Sequence, residues 1–290
     1  MSNASASPEV QSNGRRGPLM AMADSIADLG GVTIRWIETM GDMTLFALGT
    51  FSWLLSRLPR RDTLIQSLYN IGVLSLPVVA LTGTFIGMVL AVQSYTQFKA
   101  FGFETRLGAL INMSMCRELG PVLAATMLAG RVGSSIAAEL GTMRITEQID
   151  ALASMGANPV HYLVVPRFLG CLLMIPSLTL MAIFMGVVGG GFYSVHVLNI
   201  DSYHYWSNSR EFVHNWDLFY GLFKSVFFGA TIAIVSCYRG FHCAAGAEGV
   251  GKAATAAFVL SFVIILVLDF VLSILLDHVH NLIWPDMINA

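Results

Sequence analysis

Charge is scarce in this chain. Only 12% of its 290 residues are Asp, Glu, Lys or Arg, about half the roughly 25% that a soluble domain carries. That scarcity argues against an ordinary soluble globular protein. The charges present nearly cancel, 18 acidic against 16 basic for a net −2, so no basic surface argues for nucleic acid as a partner. Cysteine is limited to Cys116, Cys171, Cys237 and Cys243, with no Cys-x-x-Cys. This excludes a zinc ribbon or a disulfide framework and leaves small residues facing lipid or neighbouring helices. The first twenty or so residues are rich in Ser, Asn, Gly and Arg and lack the apolar stretch of a signal peptide. We read residues 1–30 as a disordered cytoplasmic tail.

Apolar residues make up 55% of the chain and mean hydropathy is +0.68. The class is an all-α polytopic membrane protein. Residues 31–62 carry a short apolar run with Trp36, Trp53 and interrupting charges. About 20 apolar residues are needed to span, so an amphipathic helix lying in the interface fits. A true first span is the alternative. The membrane domain then covers 63–290, with five crossings expected near Leu68–Ser94, Leu107–Met143, Phe168–Val195, Leu218–Tyr238 and Ala254–Leu276. From Thr63 to Phe98 there is no charged residue. Pro77 marks an expected bend there, and Gly83-x-x-x-Gly87 allows close helix approach. The segment Asn199–Asp217 reads as a polar, aromatic loop anchored at the interface. Basic residues at Arg15, Arg16, Arg35, Arg57, Arg60, Arg61, Arg144, Arg167, Arg239 and Lys252 favour a cytoplasmic N-terminus.

The second crossing carries the unusual chemistry: Arg117-Glu118-Leu119-Gly120-Pro121, then Arg131, Ser135 and Glu139. Intramembrane charges are costly and mark function or pairing. On a regular helix Arg117 and Arg131, fourteen residues apart, project within about 40° of each other. Arg131, Ser135 and Glu139 form one stripe at steps of four. Pro121 removes a backbone donor, so the helix should be irregular beside Arg117 and Glu118. Two readings stand side by side. The polar residues face a translocation path or subunit contact, or they are ion pairs that pin helices together. Arg117 and Glu118 suit the first, Arg131, Ser135 and Glu139 the second. Asp269 and Lys224 lie at similar depth in the fifth and fourth crossings, where a structural pair is expected and proton coupling is the sharper alternative.

After this crossing, Thr146-Glu147-Gln148-Ile149-Asp150-Ala151-Leu152-Ala153-Ser154-Met155-Gly156 reads as a short amphipathic helix. Thr146 is placed at its cap, with Glu147 and Asp150 at its positive end and Gly156 at its stop. Its small acidic face suits a partner protein better than a lipid surface. Gly246 to Ala253 has P-loop-like glycines and Lys252, but Ala253 stands where Ser or Thr should hold Mg²⁺ and no strand precedes it. We read it as a flexible loop. The seven histidines show no metal-ligand spacing, and Gly133-Ser134-Ser135 lacks a histidine base for proteolysis.

The runs Arg117–Pro121, Ala129–Gly133, Ala137–Arg144 and Thr146–Leu152 together resemble the MlaE family, permease subunits of ABC transporters that work with MCE-domain lipid-binding proteins. Gly83–Gly87 and the Arg239–Ala254 segment are similar too, and the likeness covers residues 31 to 285. The resemblance implies a homodimer in a bacterial inner membrane. It implies a cytoplasmic ABC ATPase dimer that binds the ATP and Mg²⁺, a periplasmic MCE-domain protein, and phospholipid or a related lipid as cargo between inner and outer membranes. It implies a lipid cavity at Arg117, Glu118, Leu119 and Pro121, and a coupling helix at Thr146–Gly156, including Glu147, Gln148, Asp150, Leu152 and Met155, that meets the ATPase. The permease itself would be no enzyme and hold no cofactor. The rival function is an ion-gradient carrier using Asp269, Arg117 and Glu118. A third is a membrane anchor that only scaffolds partners.

Overall fold

The computed structural model describes residues 18–56 and 59–283. Residues 1–17 of the tail expected over 1–30, and the charges Arg15, Arg16 and Arg57, lie outside the described residues. Helix α1 is Pro18–Ser56, so residues 18–30 are helical rather than tail. Proline suits a helix's first turn, where its missing N–H costs nothing. Residues up to Leu45 form one compact unit and those from Phe46 another. In the first, Ile34, Ile37 and Leu45 are exposed. In the second, Phe46 packs edge-on against Tyr238 and Phe241, with centroids 5.9 and 5.7 Å away, and Trp53 meets His161.

Among the described residues, five helices are long and apolar enough to cross a membrane: Arg61–Ala100, Glu104–Ile145, Val160–His196, Asn215–Phe241 and Ala247–Leu282. Each exceeds the expected bounds, because the polar turns capping it continue the helix. The first joins α2 (Arg61–Ile71) to α3 (Leu76–Ala100) through a tight 3₁₀ turn at Val73–Ser75. The break therefore precedes Pro77, which sits in the first turn of α3 where no hydrogen bond is lost.

The second crossing is α4 (Leu107–Ser114), α5 (Gly120–Leu128) and α6 (Ser134–Ile145), joined by π turns at Met115–Leu119 and Ala129–Gly133. The short helix α7 is Gln148–Ser154. The third crossing opens with a π turn, Val160–Val164, and continues as α8 (Val165–His196). Next come α9 (Ser202–Phe212), α10 (Asn215–Phe241) and α11 (Ala247–Ile283).

Small residues decide how closely α3 and α8 approach. A Cβ on Gly83 would lie 2.6 Å from the Ala182 carbonyl oxygen, and one on Gly87 only 1.9 Å from that of Gly186. Gly189 faces Thr84 just as tightly. The Gly83-x-x-x-Gly87 spacing thus meets the glycine run of the third crossing, backbone against backbone.

Two expectations are corrected. The segment Asn199–Asp217 is not simply an anchored loop. It contains α9, which packs on α4, and its Tyr205 is fully buried between Gly108 and Gly191. The segment from Gly246 is not a flexible loop either. Gly246 makes the turn at φ +86°, and Gly249, Gly251 and Lys252 are already in α11. There Lys252 pairs with Glu248 one turn back, at 2.7 Å. From Val250 on the N–H groups are spent within the helix, so no glycine loop is left to wrap a phosphate as a P-loop does.

The first and fifth crossings are buried over only 22% of their most apolar stretch, against 50% for the second and fourth. The second and fourth therefore form the centre. The fifth shows Val259, Val263, Val267, Phe270, Val271 and Ile274 to its surroundings, a face suited to lipid or another apolar surface.

Candidate functional site

The π turns of the second crossing carry Arg117, Glu118 and Arg131. In the first, the Gly120 N–H reaches back to the Met115 carbonyl, five residues away. A regular turn here would drive the Pro121 ring against the carbonyl four residues before it, that of Arg117. The widened turn relieves that clash, and π turns recur at functional positions. Gly120 must be glycine, since a Cβ would lie 2.4 Å from the Met115 oxygen.

From this turn Arg117 and Glu118 point to different partners. Arg117 Nε donates to Asp217 Oδ1 at 2.5 Å. Asp217 is buried at the start of α10, and its other oxygen accepts the His214 N–H at 2.8 Å, closing a capping box. Glu118 Oε2 lies 2.7 Å from Lys224 Nζ, and the same ammonium donates to Asp269 Oδ1 at 2.9 Å and Ser273 Oγ at 2.7 Å. Ser273 in turn donates to the Asp269 carbonyl at 2.7 Å. Lys224 is 0% exposed, yet the Glu118 side chain keeps 43% of its surface and Arg117 33%. Tyr220 stands between the two groups, its ring 4.6 Å from Lys224 Nζ and 5.7 Å from Arg117 Cζ. Both cations use its negative face.

Lys224 and Asp269 thus pair as expected. Their junction with Glu118, and the Arg117–Asp217 pair, were not foreseen. The signals available were the charges at matching depth and the three-residue step from His214 to Asp217.

Arg117 also borders a cavity of about 530 Å³ with Phe212, Trp216, Phe219 and His280 on its wall. Leu119 and Pro121 do not share it. Leu119 packs inward beside the α3–α8 contact, and buried Pro121 lies against Gly221, whose added Cβ would be 2.8 Å from the proline ring.

The second π turn sends Arg131 elsewhere. Its guanidinium donates to Ser75 Oγ, at the 3₁₀ break of the first crossing. Arg117 and Arg131 therefore do not share a face. The π turn adds a residue between them and shifts the phase by about 100°. Arg131, Ser135 and Glu139 do line one space together, a cavity of about 460 Å³ walled also by Ser67, Asn70 and Arg167. Glu139 pairs with Arg167 at 2.8 Å, not with Arg131. The stripe is thus the wall of an opening as well as a set of helix ties.

At α7, Thr146 is not the cap. Its hydroxyl donates back to the Thr142 carbonyl at 2.8 Å, and Glu147 occupies the cap position at φ 60°. The turn out of α6 is too tight for a side-chain cap. Gly156, at φ +78°, ends the helix as its sequence suggests. Ile149 and Leu152 pack into the main core, so the apolar face is used within the chain. The outward face bears Gln148, Asp150 bonded to Arg144 at 2.5 Å, and Met155, 74% exposed.

Comparison with known proteins settles the class. Residues 64–275 match the family described as Permease MlaE. The chain belongs to the MlaE permease family. It is 41% identical over 249 residues to a probable ABC transporter permease protein of Rickettsia felis, covering 86% of this chain and 95% of that protein. A probable ABC transporter permease protein of Synechocystis is 42% identical over 211 residues, 73% of this chain and 80% of that one. The intermembrane phospholipid transport system permease protein MlaE of Haemophilus influenzae is 36% identical over 204 residues, 70% of this chain and 78% of that one.

As an MlaE-family member this chain is the non-catalytic membrane component of an ABC transporter, a multi-pass protein whose energy comes from a partner ATPase. That source of energy displaces the ion-gradient carrier. Every charged residue of the site lies within the matched span, whereas all of α1 precedes it.

Proposed function

We propose that two copies of this chain form the permease of a transporter moving phospholipid between the inner and outer membranes of a diderm bacterium. A cytoplasmic ABC ATPase dimer binds beneath them and a periplasmic MCE-domain protein sits above. The N-terminus is cytoplasmic, and α1 beyond residue 30 lies along the interface. The name of the Haemophilus relative supports the cargo. The observation that carries the reading is Arg117, one-third exposed beside an aromatic cavity, with the bare apolar face of α11 available to a second copy or to acyl chains.

The charges suit passage rather than storage. Arg117, Lys224, Glu118, Asp217 and Asp269 sum formally to −1, so a lipid phosphate meeting Arg117 is not trapped by surplus positive charge. A transport site must release what it binds. Arg117 uses only Nε for Asp217, which leaves its terminal nitrogens for a phosphate oxygen. Glu118 and Lys224 tie the second crossing to the fourth, and Asp269 ties in the fifth. Force on α7 enters α6 directly, and the π turns are where the second crossing can change its twist.

In proteoliposomes containing the full complex, Arg117→Gln should slow transfer of a fluorescent phospholipid about tenfold, the worth of one charge-assisted hydrogen bond. Complex assembly should be unchanged. Transfer at the wild-type rate would remove Arg117 from the path. For α7, Met155→Asp places a charge on the outward face without touching the core. It should lower co-purification of the ATPase and weaken lipid-stimulated hydrolysis. Normal recovery and stimulation would move the docking surface elsewhere.

A further inference from the structure

The cavity between α2, α6 and α8 lies apart from the Arg117–Glu118 site, near the α7 end of the bundle. Its charged wall residues are Arg131, Arg167 and Glu139. Glu139 is already held by Arg167. Arg131 has no carboxylate partner among the described residues, and its one bond is to the neutral Ser75 hydroxyl. The wall therefore carries a formal charge of +1, the opposite sign to the transport site. Arg131 stands about 20 Å along the helix from Ile145 at 1.5 Å per residue, inside the apolar crossing Glu104–Ile145. An arginine without a counter-ion at that depth is expensive and calls for an anion or water. Ser67, Asn70 and Ser135 line the same space and supply neutral donors. Acyl chains cannot satisfy such a wall.

We propose that this cavity binds a phosphate group, carried by a phospholipid of the leaflet at the α7 end, with Arg131 as its principal contact. Arg167 would stay paired with Glu139 and shape the mouth. The site is separate from the one at Arg117. The inference rests on the lipid-transport reading only for the source of the phosphate.

The full-length protein in neutral detergent, without ATP or partners, is titrated with phosphatidylglycerol, diacylglycerol or inorganic phosphate, and bound molecules are counted by native mass spectrometry. With Arg117→Gln removing the phosphate contact of the transport site, one phosphatidylglycerol per chain should still bind, and it should weaken about tenfold when Arg131→Gln is added. Ser135→Trp fills the cavity without changing charge, and it should have the same effect if Arg131→Gln does not fold. Arg117→Gln should leave this binding intact. Diacylglycerol, with the same tails and no phosphate, should not compete. Phosphatidylglycerol binding that inorganic phosphate cannot displace identifies a lipid headgroup as the source. Displacement by inorganic phosphate at millimolar levels identifies free phosphate. Either supports an anion site. Unchanged phosphatidylglycerol and phosphate binding in both Arg131→Gln and Ser135→Trp, or equal competition by diacylglycerol, overturns it. Because no transport is measured, loss of this site and failure of the transport reading are read separately.

Discussion

Lys224→Met should remove both phospholipid transfer and a large part of the protein's stability. Lys224 is 0% exposed and donates to Glu118, Asp269 and Ser273 at 2.7–2.9 Å. Methionine fills much the same volume, so packing survives while the charge disappears. Glu118 and Asp269 are then left facing each other with no cation between them. Breaking a buried ion pair in this way costs about 3–5 kcal/mol. The second, fourth and fifth crossings would lose their shared tie. Fluorescence-detected chromatography after heating in detergent should show a clearly lower midpoint. A triple variant with Glu118→Gln and Asp269→Asn added should recover most of that midpoint, because no unpaired charge remains, while transfer stays absent. If Lys224→Met alone melts within about 2 °C of wild type, the cluster is no structural tie.

Gly87→Ala should be the most damaging single methyl group in the chain. The added Cβ would lie 1.9 Å from the Gly186 carbonyl oxygen and 2.7 Å from its carbon. Those are backbone atoms of α8, so no side chain can rotate aside. The two crossings must part, and Gly83, Gly189 and Gly190 lose their contacts with them. We expect no monodisperse protein on extraction. Gly251→Ala is the control. It lies inside α11 with nothing within 4 Å of its would-be Cβ, so alanine there should be neutral or stabilise by about 0.5–1 kcal/mol. Equal yields of the two variants would refute close α3–α8 packing.

The membrane class and all five crossings were legible because length and apolarity need no tertiary information. Gly83-x-x-x-Gly87 was legible for the same reason, since close approach depends on residue size alone. The partners of Arg117 and Glu118 were not. Asp217 is 100 residues from Arg117 and Lys224 is 106 from Glu118, distances that no local periodicity spans. The shared face assigned to Arg117 and Arg131 failed for a different reason. It assumed 3.6 residues per turn throughout, and Pro121 signalled an irregularity without saying that the backbone would widen. Ser135 and Glu139 keep the expected spacing because no wide turn falls between them, and Arg131, inside the second wide turn, still lines the same cavity. At α7 the apolar spacing of Ile149 and Leu152 was read correctly, but spacing does not say whether a face turns toward its own bundle or toward a stranger.

The paired wide turns of the second crossing have a mechanical corollary. Returning either one to ordinary α-geometry rotates the chain beyond it by about 100°. Pro121 holds the first one open, so the second, at Ala129–Gly133, is the one free to tighten and re-aim Arg131 and the chain beyond it. One proline thus sets which of two similar joints is fixed and which can yield.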